Sequence, residues 1–369
     1  MNITVHHCVD EVERPWRSFQ ETAEGYGFQT FEWANRWYGT IGRYLGARPC
    51  VVMVTDDQDA PLLLLPLALT RSRGITVLSF ADGGVSDYNA PLVHPGYADR
   101  MGTGGFSAIW DAVEKRMPPC DVIHFSKMPR RIGDLLNPML ELSVFPYHEN
   151  SYGLRLSGMW ETHYRTRVKK RIRADSARQR RRLAALGVLR FVIVEDKPAV
   201  RVMTHRMIAQ KRRRYIETAA PDLFLLPVYR QFYCEAADDL FDAGRLHLSA
   251  LLLDDTVVAT HWGMVHNGCF YFLLPTFEGG RWRKFSPGRL LLEHLLEWAF
   301  AHHLGIFDFT IGTEAYKMDW CDRELTLYET LLVRSSKGHA YRLGNISKRF
   351  IRQWPKLYTK LRSLRQIVK

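Results

Sequence analysis

The chain has 369 residues, 51 Lys and Arg against 39 Asp and Glu, a formal charge of +12 and a 46% hydrophobic fraction. That length exceeds what one compact core holds and suits two ordinary domains, and the hydrophobic share excludes a largely disordered chain. The first residues lack a basic start followed by a long apolar stretch, and no apolar run is long enough to span a bilayer, so a soluble cytoplasmic protein is expected.

The six cysteines (Cys8, Cys50, Cys120, Cys234, Cys269 and Cys321) are scattered with no Cys-x-x-Cys pair. They read as reduced core thiols, not as a disulfide framework or a zinc site. The positive charge is concentrated: 160–182 holds ten Lys and Arg against two acids, and 335–369 holds ten against none. The basic character therefore belongs to two helices.

In chain order, a strand is predicted over 3–9 and a helix over 30–44 carrying Phe31, Trp33, Trp37 and Tyr38. A hairpin follows, 51–55 and 61–69, then a strand over 76–80 and the polar loop 81–89. Helices near 105–116 and 132–142, with a strand 121–125 between them, complete the first half. Beyond the first basic helix come a strand 188–195, helices 198–215 and 227–243, and a hairpin 246–253 with 257–266. A strand 269–275, a helix 287–303, and strands 306–310 and 326–333 end the series. Both halves thus show hairpin, strand, loop, helix and strand in the same order, which reads as one fold used twice. Alternating strands and helices give an α/β class, and the hairpins make each sheet mixed and mostly antiparallel. The expected division is 1–157, a basic connecting helix 158–186, 187–334, and a basic amphipathic helix 335–369.

The segment that points to chemistry is Arg281-Trp282-Arg283-Lys284-Phe285-Ser286-Pro287-Gly288-Arg289. Ser286 suits an N-cap, and Pro287 suits the first helical turn, where a missing N–H costs nothing. Leu292, Leu295, Leu296 and Ala299 mark one buried face of the helix. Gly288 permits close approach, and the free N–H groups, the helix dipole, Arg283, Lys284 and Arg289 favour an anion of pyrophosphate size. A plain helix start among solvated basic residues explains the same pattern.

From Phe31-Glu32-Trp33 to Arg334, about four fifths of its length, the chain resembles the CelD-like acetyltransferases of the GNAT superfamily, relatives of the FemAB peptidyltransferases. The matching residues are Ser86-Asp87-Tyr88, Arg180-Arg181-Arg182-Leu183, His261-Trp262-Gly263, Tyr271, Ser286-Pro287-Gly288, 305–309, and Gly312-Thr313-Glu314-Ala315-Tyr316-Lys317-Met318-Asp319-Trp320. The resemblance implies tandem GNAT-like domains joined by a basic helix, a degenerate acceptor-side first domain, and an acyl-CoA, such as acetyl-CoA, on the second. Its diphosphate would lie against Arg283, Lys284, Phe285, Ser286, Pro287, Gly288 and Arg289. The general GNAT loop, Arg/Gln-x-x-Gly-x-Gly/Ala, keeps only Gly288 here, and Pro287 replaces a donor.

Acyl transfer needs a base for the nucleophile and a donor to the thioester. His261, on an otherwise apolar strand, is one candidate base, with a buried structural histidine as the alternative. Glu314 is the second. Asp308, between Phe307 and Phe309, is a candidate to orient the base or the acceptor, with Lys317 and Arg283 as its expected partners. Tyr271 is a candidate proton donor to the thiolate. Asp87, Tyr88, Tyr316 and Trp320 are candidate acceptor contacts, although a turn-stabilising role explains Asp87 almost as well.

Gly84-Val85-Ser86-Asp87-Tyr88 lacks the second glycine of a nucleophile elbow, Gly102-Thr103-Gly104-Gly105 does not follow a strand as a dinucleotide loop does, and His6-His7 and His302-His303 lack metal-ligand spacing. No metal is expected. The expected activity is transfer of an acyl group to a small molecule or a cell-envelope sugar precursor. The rivals are an aminoacyl-tRNA-dependent transferase, with tRNA on the basic helix, and a non-catalytic nucleic-acid or membrane-binding module. The tail, with Phe350, Ile351, Trp354, Leu357, Leu361 and Leu364 among its basic residues, is a candidate to lie on an anionic membrane, at the inner face.

Overall fold

In the computed structural model, which describes residues 1–101 and 105–352, almost all strands join one mixed sheet. The first half supplies β1 (Asn2–His6), β2 (Arg48–Thr55), β3 (Pro61–Ser72), β4 (Ile75–Phe80), β5 (Leu92–Val93), β6 (Val122–Pro129), the small separate pair β7 (Arg131–Ile132) and β8 (Leu135–Leu136), and β9 (Phe145–Arg155). The second supplies β10 (Leu189–Ile193), β11 (Leu246–Leu253), β12 (Thr256–His266), β13 (Cys269–Phe277), β14 (Ile306–Ile311) and β15 (Arg323–Val333). Across the sheet the order is β1-β2-β3-β4-β6-β15-β9-β14-β13-β12-β11-β10, with β5 on β3.

That order is a doubled pattern. Each half has an antiparallel run of four strands followed by a parallel neighbour, β4 with β6 and β13 with β14. A helix returns the chain between each parallel pair, as parallel neighbours require. The final strands are exchanged. β9, last of the first half, pairs with β14 of the second, and β15 pairs with β6 of the first. β9 and β15 then pair with each other and join the two halves.

The helices are α1 (Glu13–Gln20), α2 (Phe31–Trp37), α3 (Tyr97–Met101), α4 (Gly105–Glu114), α5 (Trp160–Thr166), α6 (Lys170–Ala184), α7 (Lys197–Thr218), α8 (Pro227–Asp242), α9 (Pro287–Ala301) and α10 (Ser336–Arg352). One core unites α1 and α2 of the first half with α7, α8 and Tyr271 of the second. Trp33, fully buried, sets its ring at 5.0 Å from Phe232 and 6.2 Å from Trp262 across that boundary. Truncating such a residue costs about 3–5 kcal/mol, so the halves are held by apolar packing as well as by strand pairing. A second core lies under α9 with Phe270, Phe272, Phe307 and Phe309, and a third fills the first half around α4.

One expectation fails in the first half. No helix forms over 132–142: Gly133 takes φ +54°, and Pro138 starts a short 3-10 turn at 138–141 after β7 and β8. β9 and α1 carry no strand or helix prediction. The helix at 30–44 is α2 followed by one π-helical turn, Tyr38–Gly42. The tail residues Trp354, Leu357, Leu361 and Leu364 lie outside the described residues, as do the side chains of Phe350 and Ile351. No helix among the described residues is long and apolar enough to cross a membrane.

Candidate functional site

β13 and β14 pair only at Cys269–Ile306, Phe270–Phe307 and Tyr271–Asp308, although β13 runs on to Phe277 and β14 to Ile311. Beyond the Tyr271–Asp308 rung the strands part. β13 stays with β12, where Pro275 sits opposite His261, and β14 stays with β9. A bulge in β14 places Thr310 at φ +60°, a costly conformation for a β-branched residue, and Asp308 Oδ1 accepts from the Thr310 N–H at 2.7 Å.

A cavity of about 560 Å³ occupies the wedge. Phe272, Pro275, Thr276 and Phe277 form its β13 wall, and Ser286, Gly288, Arg289 and Leu292 its α9 wall. Lys211 and Arg214 enter from α7, and Glu314, Tyr316, Asp319 and Trp320 from the loop after β14. Because α7 and α9 belong to different cores, the cavity is bordered from both faces of the sheet.

The start of α9 departs from the simple capped helix that its residues suggest. Ser286 is left-handed, φ +52°, and its side chain makes no capping hydrogen bond. Its carbonyl accepts from both Arg289 and Leu290 N–H, at 3.1 and 3.2 Å. Pro287 has no N–H, so Gly288 supplies the one uncommitted amide of this turn. A Cβ at Gly288 would lie 2.9 Å from Phe277 Cδ1, so this glycine also serves the close approach of helix to strand.

Of the seven expected diphosphate contacts, Arg283, Ser286, Gly288 and Arg289 line the cavity. Arg283 is exposed and makes no ion pair among the described residues, whereas Arg289 is paired with Asp175 of α6. Lys284 lies over the Phe285 ring at 5.2 Å, Phe285 is buried beneath Arg182, and Pro287 is buried. None of these three reaches the cavity.

Lys211 and Glu314 bring opposite charges to the other walls. Lys211 Nζ donates to Pro275 O at 3.2 Å. Burial pushes its ammonium down to about 8, Glu314 holds it up, and Arg214 and Lys317 depress it further. Nothing in the run around Lys211 marks it, because one lysine in a helix of mixed charge carries no motif. Glu314 is largely exposed and lies 3.0 Å from Lys317 Nζ.

Lys317 is itself buried and donates to the carbonyls of Thr310, Ile311 and Gly312 at 3.2, 2.9 and 3.3 Å. It fastens the end of β14 and does not pair with Asp308. Arg283 does not pair with it either. Asp308 instead accepts from Tyr88 Oη at 2.8 and 2.9 Å, a bond from the polar loop of the first half into the second. Burial raises its carboxyl to about 6, against the pull of Tyr88, the Thr310 N–H and Arg323. Asp87 is raised by burial too, beside Lys127 and Lys317, and does not line the wedge.

His261 is placed as a core histidine. It is fully buried, stacked on Phe270 and Phe272 at 5.3 and 5.0 Å, with no hydrogen bond at either nitrogen, and it lines neither of the two large cavities. Burial and the neighbouring His247 and Lys211 push its pKa well down, so the imidazole is neutral but out of reach. Tyr271 points to the opposite face from Phe272: its Oη accepts from Gly27 N–H at 3.4 Å, and its ring packs on Phe28. It does not reach the wedge. Tyr271 and Asp308 border instead a second cavity of about 700 Å³, with Arg155 and Arg323.

The basic helix α6 commits part of its charge to contacts within the protein, although Lys170, Arg171, Arg178, Arg181 and Arg182 are exposed. Arg180 pairs with buried Glu293 and Arg178 with Asp175, and Arg182 lies over Phe285 at 4.8 Å. Lys169, just before the helix, reaches Asp319 at 2.7 Å. This is the behaviour of a connector packed on α9. Among the described residues no group of three or more His, Cys, Asp or Glu side chains is arranged to hold a metal ion.

Residues 170–318, from the start of α6 to the loop after β14, match the family model described as the acetyltransferase (GNAT) domain. That stretch, about two fifths of the chain, is therefore similar to a GNAT acetyltransferase domain. Among solved structures, FemX superposes with a TM-score of 0.60 at 12% identity, over 88% of this chain and 97% of FemX. A conserved protein of unknown function from Bacteroides thetaiotaomicron VPI-5482 gives 0.56 at 10% identity, over 90% and 100%. L-PGS from Bacillus licheniformis gives 0.51 at 10% identity, over 88% and 93%. At these identities the likeness is one of fold. No curated protein matches the chain.

Proposed function

We propose that the protein transfers an acyl group, in the first instance acetyl, from a coenzyme A thioester to a small amine or hydroxyl compound, and that the wedge between β13 and β14 receives the thioester. The observation that carries this reading is the parting of two parallel strands beside the start of α9. It leaves a cavity long enough to be bordered by an uncommitted Gly288 N–H and Arg283 at one end and by Tyr316, Trp320 and Lys211 elsewhere. The residues suit a diphosphate: a helix N-terminus, an unpaired guanidinium, and Arg289 fixed by Asp175. With one amide in place of a glycine-rich cradle, the cations carry more of that contact.

In the transfer, the nucleophile bonds to the acyl carbon, the carbon–sulfur bond breaks, and coenzyme A leaves as thiolate. Asp308, at the last paired rung, is the group to accept the nucleophile's proton, and Lys211, on the wall of the wedge, is the group to protonate the sulfur. Their values of about 6 and about 8 leave the first ionised and the second largely protonated near neutrality. A cell-envelope sugar precursor is the acceptor that the CelD-like resemblance suggests.

Thermal-shift titration with acetyl-CoA and longer acyl-CoAs tests the reading. A ligand at a hundred times its Kd stabilises by about 2.7 kcal/mol, and Arg283→Glu should remove most of that response. Absence of any shift in the wild type at saturating concentration overturns the proposal. Steeply salt-dependent tRNA binding in the same protein would then point to an aminoacyl-tRNA donor, and binding of neither to a non-catalytic module.

A further inference from the structure

We propose that the 700 Å³ cavity beside Tyr271 is a second ligand site, which takes a small molecule bearing a carboxylate or phosphate, and that Arg323 is the side chain that holds it. Arg323 opens β15 and lies opposite Gly153 of β9. A Cβ on Gly153 would sit 3.3 Å from both Cγ and Cδ of Arg323, so the missing side chain is what lets the arginine stem cross β9. The guanidinium is partly buried and has no hydrogen bond or ion pair with any described residue. Its planar fork of five donors is thus set in a cavity wall with no protein acceptor. Arg155, two residues along β9 and on the same side of the strand, lines the cavity and is likewise unpaired.

The carboxylates of the lining make no hydrogen bond or ion pair with these arginines, although Arg323 draws the Asp308 carboxyl down through space. Asp308 accepts from Tyr88 and from the Thr310 N–H, and Glu324 accepts from Asn150 and Tyr152. Glu24 packs against the Gly133 turn beside Asp134, and neither pairs with Arg323. Arg131, which also lines the cavity, donates to the Asp134 carbonyl. Tyr26 and Tyr271 supply aromatic walls. An oxyanion from outside meets the unmatched donors, and the bidentate geometry that arginine offers is specific to carboxylate and phosphate.

On the acyl-transfer reading proposed above, the ligand is the acceptor. The Tyr271–Asp308 rung borders this cavity, and the next residue of β13, Phe272, borders the wedge, so the two spaces meet at the sheet where Asp308 stands. The oxyanion at Arg323 would turn the acceptor's amine or hydroxyl toward that carboxylate.

Calorimetric titration of the full chain with inorganic phosphate and, separately, with acetate tests the site. At least one of them should bind the wild type at one site per chain, and Arg323→Gln should weaken it about tenfold or more, with Arg323→Lys in between. The probe that binds identifies the oxyanion. Arg283→Gln should leave this binding unchanged while weakening acetyl-CoA, and Arg323→Gln should do the reverse, so the two sites fail or stand separately. Circular dichroism of each variant reports that the fold is kept. If neither anion binds the wild type, or if a folded Arg323→Gln binds as the wild type does, the site is refuted.

Discussion

Replacing Lys211 by Met should make the protein more stable and less active at once. Burial holds the ammonium at about 8, against about 10.4 in the unfolded chain. Because the folded value is the lower one, the unfolded state binds the extra proton between these limits, and below pH 8 the folded state bears the full cost of the charge. That gap corresponds to roughly 3 kcal/mol, from which loss of the bond to Pro275 O takes back about 1 kcal/mol. Met fills a similar volume, so a net gain of about 1–2 kcal/mol is expected, which raises Tm by a few degrees in a chain of this size. If Lys211 protonates the departing thiolate, kcat/KM should fall about 10²–10⁴-fold, and the decline of activity above pH 8 should disappear from the profile. Calorimetric melts at pH 7 and pH 10, with initial rates from pH 5 to pH 10, measure both effects. The wild-type gain in stability from pH 8 to pH 10 should be absent in the variant. A lower Tm at pH 7, or an alkaline limb that persists unchanged, refutes the reasoning.

The acid limb has its own assignment: activity should rise through about pH 6 as Asp308 loses its proton, and Tyr88→Phe, which removes its donor, should move that limb upward in initial-rate profiles. Acid should also unfold the protein through its neutral core histidines. His247 is pushed down to about 3 by burial and His261 well down, against about 6.5 when unfolded, so stability falls as pH drops from 6.5 toward 4 by about 1.4 kcal/mol per pH unit for each. His247→Phe should flatten that slope in urea titrations. Lys317→Met, which leaves the carbonyls of 310–312 without their donor, should cost about 3 kcal/mol or more in the same assay at pH 7.

The second half was far more legible in the sequence than the first. The hairpin β11–β12, the Pro287 start of α9 and the parallel β14 all follow from local signals: uninterrupted β-rich runs, a two-residue acidic turn, and a proline at the first helical position. β9 escaped because Pro146, His148, Glu149, Asn150 and Gly153 give it no apolar alternation; its hydrogen bonds come from strands at the far end of the chain. The expected helix at 132–142 had the right apolar content, but Gly133 and Pro138 decide the backbone there. At the site, the helix start declared Arg283, Ser286, Gly288 and Arg289, and the loop after β14 declared Glu314, Tyr316 and Trp320. His261 misled, since a strand pattern cannot say which face opens on a cavity. Lys211 and Arg323 gave no signal, because their settings exist only once α7 meets the wedge and β15 crosses Gly153.

The exchange of final strands bears on how the polypeptide is made. A ribosome delivers β6 about two hundred residues before β15, the strand that covers its edge, so the nascent first half must wait with an open edge able to pair with a passing neighbour. The exposed Arg131 and the short β7–β8 flap near that edge are the kind of feature that discourages such meetings. Separating the halves by cutting near residue 157 would strand β9 on the wrong fragment, so each piece alone should aggregate and the two together should reassemble into the native sheet.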